Sequence, residues 1–246
     1  MVIIVAVTTL LVLVTSSYAF QVLDRQRGAS EFDAVKKAFS TFDDALRSIA
    51  WNLDGTRSAR FTLSYGHLDL VPNALPLMIN VTGYSVSYST NTGYLQYSIS
   101  SNYITFGLEY QTYIIGDNKS VVTASTDTFG QAMISQDNGL VNIRLEYRVR
   151  ALRTSVVNVS GTLVNYVDIM LIKTNATRTT LQTSEFDLIA RNVGIFTDSR
   201  GPYTVINNQC TILVNLGGVT GSVTIDLTLP GNVVFNFVVA NVQVST

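Results

Sequence analysis

The first 23 residues, MVIIVAVTTLLVLVTSSYAFQVL, contain no charged side chain, and Asp24 is the first charge in the chain. The polar members of the run are neutral: Thr8, Thr9, Thr15, Ser16, Ser17, Tyr18 and Gln21. As a helix, such a run is long enough to cross a bilayer, which takes roughly 20 apolar residues. No later stretch resembles it. It must therefore lie in lipid, in the core of an assembly, or in a signal that is removed. Ser17-Tyr18-Ala19 would serve as a cleavage site, but no Lys or Arg precedes the run, as the basic region of a secretory signal requires.

Beyond the polar border at Asp24, Arg25 and Arg27, a second pattern begins. Phe32, Val35, Phe39, Phe42, Leu46, Ile49 and Leu53 recur at alternating spacings of three and four, which puts them on one helix face. Glu31, Lys36, Lys37, Asp43, Asp44 and Arg47 fall off that stripe. The stripe is expected to pack the helix on the rest of the protein, which a bare membrane anchor would not need. Gly28 weakens the helix locally by about 1 kcal/mol relative to Ala, and Ser30-Glu31-Phe32-Asp33 approximates a capping box. Two outcomes stay open: an unbroken helix to about Leu53, roughly 80 Å long, or a kink and restart near Ser30. Asn52-Leu53-Asp54-Gly55 is the stop signal.

From Arg57 onward the period changes from helical to alternating. Arg60–Leu70 reads as a hairpin turning at Gly66-His67. Val81–Ser89, Tyr94–Ser98 and Tyr103–Ile115 read as strands rich in aromatic and β-branched residues. Asp137-Asn138-Gly139 is a tight-turn signal. Leu140–Leu152 then places Val141, Ile143, Leu145, Tyr147 and Val149 on one face. Arg144, Glu146, Arg148 and Arg150 fall on the other, expected to be a solvated face or an inter-subunit ion-pair patch. Further strands read at 155–159, 163–173, 186–190, 203–206, 211–216, 222–229 and 233–244. The expected fold is α+β: an N-terminal helical domain over 1–54, then an antiparallel all-β sandwich head over 57–246. A division of the head near Gln131–Gly139 stays open.

Composition narrows the function. Charged residues make up only 13% of the chain and the net charge is −1, so no field exists to gather nucleic acid. Cys210 is the one cysteine and His67 the one histidine; no disulfide, zinc site or Ser-His-Asp arrangement can be built from them. Cys210 reads as a buried thiol on a strand, though a lone thiol could also cross-link two subunits. There is no phosphate loop or nucleophile elbow. No catalytic residue, metal or cofactor is expected, and the protein is not expected to be an enzyme. Four N-x-Ser/Thr sequons begin at Asn80, Asn118, Asn158 and Asn175, each an acceptor for N-glycosylation in an exported protein.

An uncharged N-terminal helix (Met1–Leu23), an amphipathic continuation (Glu31–Leu53) and a β-rich remainder together resemble the type IV pilin superfamily. The likeness is to archaeal pilins and pilin-like filament subunits with class III signal peptides, and it covers the first quarter of the chain. It implies an immunoglobulin-like head and a structural role in an extracellular filament, with adhesion or surface attachment as its use. It implies as partners other copies of the chain, the membrane before assembly, a prepilin peptidase that removes a basic leader, and the pilus assembly machinery. Ile3, Ile4, Leu10, Leu11, Leu13, Phe20 and Leu23 would form the polymerisation helix. Bacterial pilins usually have Glu at mature position 5, whereas this chain has Val5, as archaeal members commonly do. The other reading is a single-pass anchored surface protein whose head binds a glycan or envelope component, with Tyr84, Tyr88, Tyr94, Tyr97 and Tyr103 as the candidate face.

Overall fold

The computed structural model describes residues 2–118, 120–124, 128–177 and 179–246. One helix, α1 (Val2–Ile49), is followed by twelve strands. These are β1 (Thr56–Val81), β2 (Val86–Ser100), β3 (Gln111–Ile115), β4 (Val122–Thr123), β5 (Gly130–Asp137) and β6 (Leu140–Tyr147). After them come β7 (Val149–Val159), β8 (Thr162–Ala176), β9 (Thr179–Thr204), β10 (Gln209–Leu216), β11 (Val219–Asp226) and β12 (Asn232–Ser245).

The helix runs through Gly28 without a kink and ends at Ile49, short of Leu53. Leu53 is 65% exposed, so the stripe closes at Ile49, and Ala50, fully buried, fills the next place. The helix stops early because the buried Asn192 side chain donates to the carbonyls of Ile49 (3.2 Å) and Ala50 (2.6 Å). The Ile49 carbonyl also accepts from the Asn52 N–H at 2.9 Å, so it is chiefly the Ala50 carbonyl, one that a helix end leaves over, that Asn192 satisfies.

All twelve strands join one hydrogen-bonded sheet, in the order β3-β5-β6-β2-β1-β9-β12-β8-β7-β4 with β10 and β11 branching from β1. Pairing is not purely antiparallel, because β12–β8 and β4–β7 run parallel. The sheet encloses two cores. One is built on Phe32, Phe39 and Phe42 of α1 together with β2, β5, β6, the first halves of β1 and β9, and the second half of β12. The other lies among the second half of β1, β7, β8, β10, β11 and the first half of β12.

Long strands serve both cores by changing face. In β1 the buried residues are Ala59, Phe61 and Leu63, then Gly66, Leu68 and Leu70, then Leu75, Leu77, Ile79 and Val81. The parity flips at each of two register irregularities, between Leu63 and His67 and between Val71 and Leu75. β12 does the same at Val239-Ala240, both buried, beside the irregularity that leaves Val193 of β9 unpaired.

Several sequence-based expectations change here. Gly66-His67 is not a hairpin turn but the point where β1 resumes pairing after a bulge over Ser64–Gly66. Val81–Ser89 contains a turn over Thr82–Ser85, and only the end of Tyr103–Ile115 is strand. Gln131–Gly139 forms β5 and its tight turn, in which Asn138 and Gly139 take φ of 50° and 76°. Leu140–Leu152 breaks at Arg148, and its charged face is only partly solvated. Arg148 is 1% exposed, Arg144 lies over the Tyr94 ring at 4.1 Å, and Arg150 lies over Phe129 at 4.1 Å. Cys210 is buried on β10, where burial pushes its thiol up to about 11 and keeps it from a neighbouring subunit. The five tyrosines do not share a face: Tyr97 is buried in the first core, Tyr103 packs beside it, and Tyr84, Tyr88 and Tyr94 pack on the second.

Candidate functional site

The residues expected to form the polymerisation helix stand clear of the head. Ile3, Ile4, Leu10, Leu11, Leu13, Phe20 and Leu23 are between 46% and 78% exposed, and the apolar side chains between them are exposed as well, except half-buried Val22. At 1.5 Å per residue the Val2–Leu23 segment is about 33 Å long, close to the ~30 Å hydrocarbon thickness of a bilayer. Beyond its first turn its backbone is satisfied within the helix. Thr8 donates to the Ile4 and Val5 carbonyls at 2.9 Å, Thr9 to Val5 at 2.8 Å and Thr15 to Leu11 at 2.6 Å. These hydroxyls therefore present few free polar groups to an apolar surrounding. Met1 lies outside the described residues.

Burial begins at Gly28, one turn past Leu23. A Cβ there would meet Cβ of Tyr103 at 2.6 Å; glycine is what lets the turn after β2 lie on the helix. The Tyr103 ring in turn packs edge-on against Tyr65, centroids 4.9 Å apart. From Phe32 to Ile49 the stripe of Phe32, Val35, Phe39, Phe42, Leu46 and Ile49 is at most 3% exposed. At about 1.5–3 kcal/mol for each buried side chain, the seat contributes on the order of 10 kcal/mol or more. The apolar run and the stripe are thus one rigid element, half bare and half buried.

A carboxylate that pattern reasoning placed on the solvent side fixes the seat. Glu31 Oε2 accepts from the backbone N–H of Ser64 (2.6 Å) and Tyr65 (3.0 Å), and Oε1 from that of Gly66 (2.9 Å) and from the Tyr97 hydroxyl (2.8 Å). Ser64–Gly66 are the bulge residues that neither neighbouring strand pairs. Of their donors, that of buried Gly66 would be orphaned without Glu31. Burial, then the neighbouring Glu31 carboxylate, push the Tyr97 phenol far above its usual range, so it remains a donor.

Farther along α1, Asp43 is 1% exposed, pairs with Arg47 Nε at 2.8 Å, and lies against Gly130, where any Cβ would collide with it. Burial raises its carboxyl above the ordinary value. Fully buried Tyr147 faces it, and burial with the Asp43 charge raises that phenol too. Nothing in the spacing of Glu31, Asp43 or Asn192 marks them; they are legible only once the strands they meet are in place. Asn80, Asn118, Asn158 and Asn175 are all exposed, while Lys119 of the second sequon lies outside the described residues. Among the described residues no three His, Cys, Asp or Glu side chains come together as metal ligands.

The arrangement defines a class: an α+β protein whose single long N-terminal helix is apolar enough to cross a membrane and is anchored by its second half in a large, mostly β head. Compared with known protein families, curated proteins and solved structures, the chain matches none.

Proposed function

We propose that the chain is the structural subunit of an extracellular type IV pilus-like filament of the archaeal kind, polymerising through α1 and displaying its β head for adhesion or surface attachment. One observation carries the reading: the bare apolar half of α1 continues without a break into the buried stripe, so force on the helix is transmitted directly to the head. A simple anchor would be served as well by a flexible linker. The head is read as an immunoglobulin-like sandwich. What supports this is the second core, held between β1, β10 and β11 on one side and β7, β8 and β12 on the other.

The energetics follow from the solvent. Before assembly the helix lies in lipid, its backbone bonds satisfied internally. Passing from lipid to a bundle of identical helices gains packing but little hydrophobic free energy, since lipid is itself apolar. Once the filament leaves the membrane the reference becomes water. Exposing side chains such as Ile3, Ile4, Leu10, Leu11, Leu13 and Phe20 would then cost ~1.5–3 kcal/mol each. Subunits would not dissociate. A prepilin peptidase and an assembly machine complete the reading, with glycans on the sequon asparagines adding the solvation that scarce charges do not supply.

The test is electron microscopy and mass spectrometry of filaments sheared from cells that express the protein. Filaments built of this chain are expected, with a processed N-terminus. Leu11→Arg, which places a charge costing about 2.5–3.5 kcal/mol at mid-helix, should leave the head folded and abolish them. A wild-type protein that stays monomeric in the membrane fraction, with no filament containing it, would refute the reading.

A further inference from the structure

An open cleft of about 400 Å³, with no α1 residue in its lining, lies on the head between the β3–β5–β6 strands and the β10–β11 hairpin. Its volume falls at the lower end of the range for small-molecule sites. One wall carries Gln111, Tyr113, Gln131, Arg144 and Glu146; the other is Leu75, Leu216, Val219 and Thr220. Arg144 and Glu146 are the only charged residues among the described lining residues, and they pair with each other at 2.9 Å. The cleft therefore offers no net charge to an ionic ligand. It offers planar amide, guanidinium, carboxylate and hydroxyl groups on one side and an apolar surface on the other. Tyr113 adds a phenol that burial, then the Glu146 and Asp117 charges, raise above its ordinary value, so it stays a neutral donor.

Asn118 and Ser120, two members of one sequon, form part of the rim. The loop that carries them is held by two buried polar side chains. Gln131, 6% exposed, donates to the Asp117 carbonyl at 2.6 Å. Arg148, 1% exposed, donates to Asp117 Oδ1 at 3.2 Å and to the Thr128 carbonyl at 2.8 Å. Burying a guanidinium is costly unless it is paired, and here its pairing fixes the loop that brings Asn118 to the cleft. On the opposite side Ser120 packs so closely on Gly221 of β11 that a Cβ there would overlap its hydroxyl. Asn175 of β8 borders a concavity of only about 10 Å³, too small for a sugar ring, whereas Asn118 borders the cleft of about 400 Å³; Asn80 and Asn158 lie on strands.

We propose that this cleft seats a neutral saccharide unit, with Gln111, Tyr113, Arg144 and Glu146 bonding its hydroxyls and Leu75, Leu216 and Val219 covering its C–H face. That chemistry has two sources: a glycan attached at Asn118, folded back onto its own head, or a free oligosaccharide from outside. The inference does not rest on polymerisation, since a chain that forms no filament would still carry the cleft.

Two arms separate the sources. In the first, the protein from its native cells is analysed by glycopeptide mass spectrometry at Asn118, with hydrogen exchange of peptides covering 111–115 and 216–221 before and after chemical deglycosylation. A glycan whose removal at least doubles exchange there assigns the cleft to the Asn118 glycan. In the second, unglycosylated full-length chain in phosphocholine micelles, free of sugar-headed detergent, is titrated with methyl glucoside, mannoside and galactoside and with N,N′-diacetylchitobiose. Saturation-transfer NMR should show binding in the millimolar range, weakened at least tenfold by Glu146→Gln and by the surface change Gln111→Ala. Ser199→Ala, remote on β9, should leave it unchanged, and melting curves confirm that each variant is folded. The proposal is overturned if no probe shows transfer at about 10 mM and Asn118 is either bare or carries a glycan whose removal leaves exchange unchanged.

Discussion

Replacing Glu31 with Gln tests how the helix is locked to the head. The carboxylate accepts four hydrogen bonds, three from bulge N–H groups and one from the Tyr97 hydroxyl. A glutamine has one acceptor oxygen, so its NH2 must face one of the two pairs of donors. The least costly choice turns the NH2 toward Tyr97, whose hydroxyl can rotate and accept. That leaves the Gly66 N–H, at a buried residue, without an acceptor. An orphaned buried donor costs ~1–3 kcal/mol, and the two bonds that remain lose their charge assistance, for a total of about 2–4 kcal/mol. In a chain of this size that lowers the melting temperature by roughly 5–15 °C. Thermal and urea unfolding of the full chain in micelles, followed by near-UV circular dichroism, measures it. Tyr97→Phe should cost about 1 kcal/mol, and the double variant less than the sum, because both changes touch one network. A Glu31→Gln variant within about 0.5 kcal/mol of the wild type would show that water satisfies the bulge equally well, and the clamp would be discarded.

Three further outcomes are expected. Asp43 has a raised carboxyl pKa in the folded protein, burial being the largest cause. The folded state therefore binds its proton more readily than the unfolded one. This stabilisation is fully present below the ordinary value of 3.8 and is lost as pH rises through the raised folded value. Asp43→Asn should remove that component, which urea midpoints measured from acid to neutral pH would detect as a flatter profile. Gly28→Ala ought to stabilise the helix by about 1 kcal/mol on propensity alone, yet the clash with Tyr103 makes a net loss the expected result; a gain in melting temperature would contradict the close approach. Asn192→Ala removes the donor to the Ala50 carbonyl and one of the two donors to the Ile49 carbonyl and should cost about 1–2 kcal/mol, with faster hydrogen exchange over residues 46–55 as its local signature.

The parts of this fold that repeat were legible without coordinates. Seven-residue regularity over Phe32–Ile49 names the buried face of α1 residue by residue, because a helix facing a core must repeat an apolar position every three or four residues. Alternation found β10 and β12 to within a few residues, and Asn138-Gly139 named its turn because its positive φ angles need those residues. The misreadings share a cause. Gly66-His67 reads as a turn and Leu140–Leu152 as one amphipathic strand only if each segment is taken alone. The first closes a bulge whose donors are satisfied by a carboxylate 33 to 35 residues away. The second breaks because Arg148 turns inward to hold a distant loop.

The sequence by itself determined that a bare, uncharged helix must find a place without water and that its second half must pack on a β-rich head. Both follow from transfer free energy, which depends on residue type and periodicity and is written locally. Only the tertiary structure decided where that helix ends, which way it is clamped, and where the cleft opens. Those depend on Glu31, Asp43, Arg148 and Asn192, polar groups whose worth is set by a partner remote in sequence. A hydrogen bond acts over about 3 Å, and no pattern along the chain reports which donors the fold will bring within that reach.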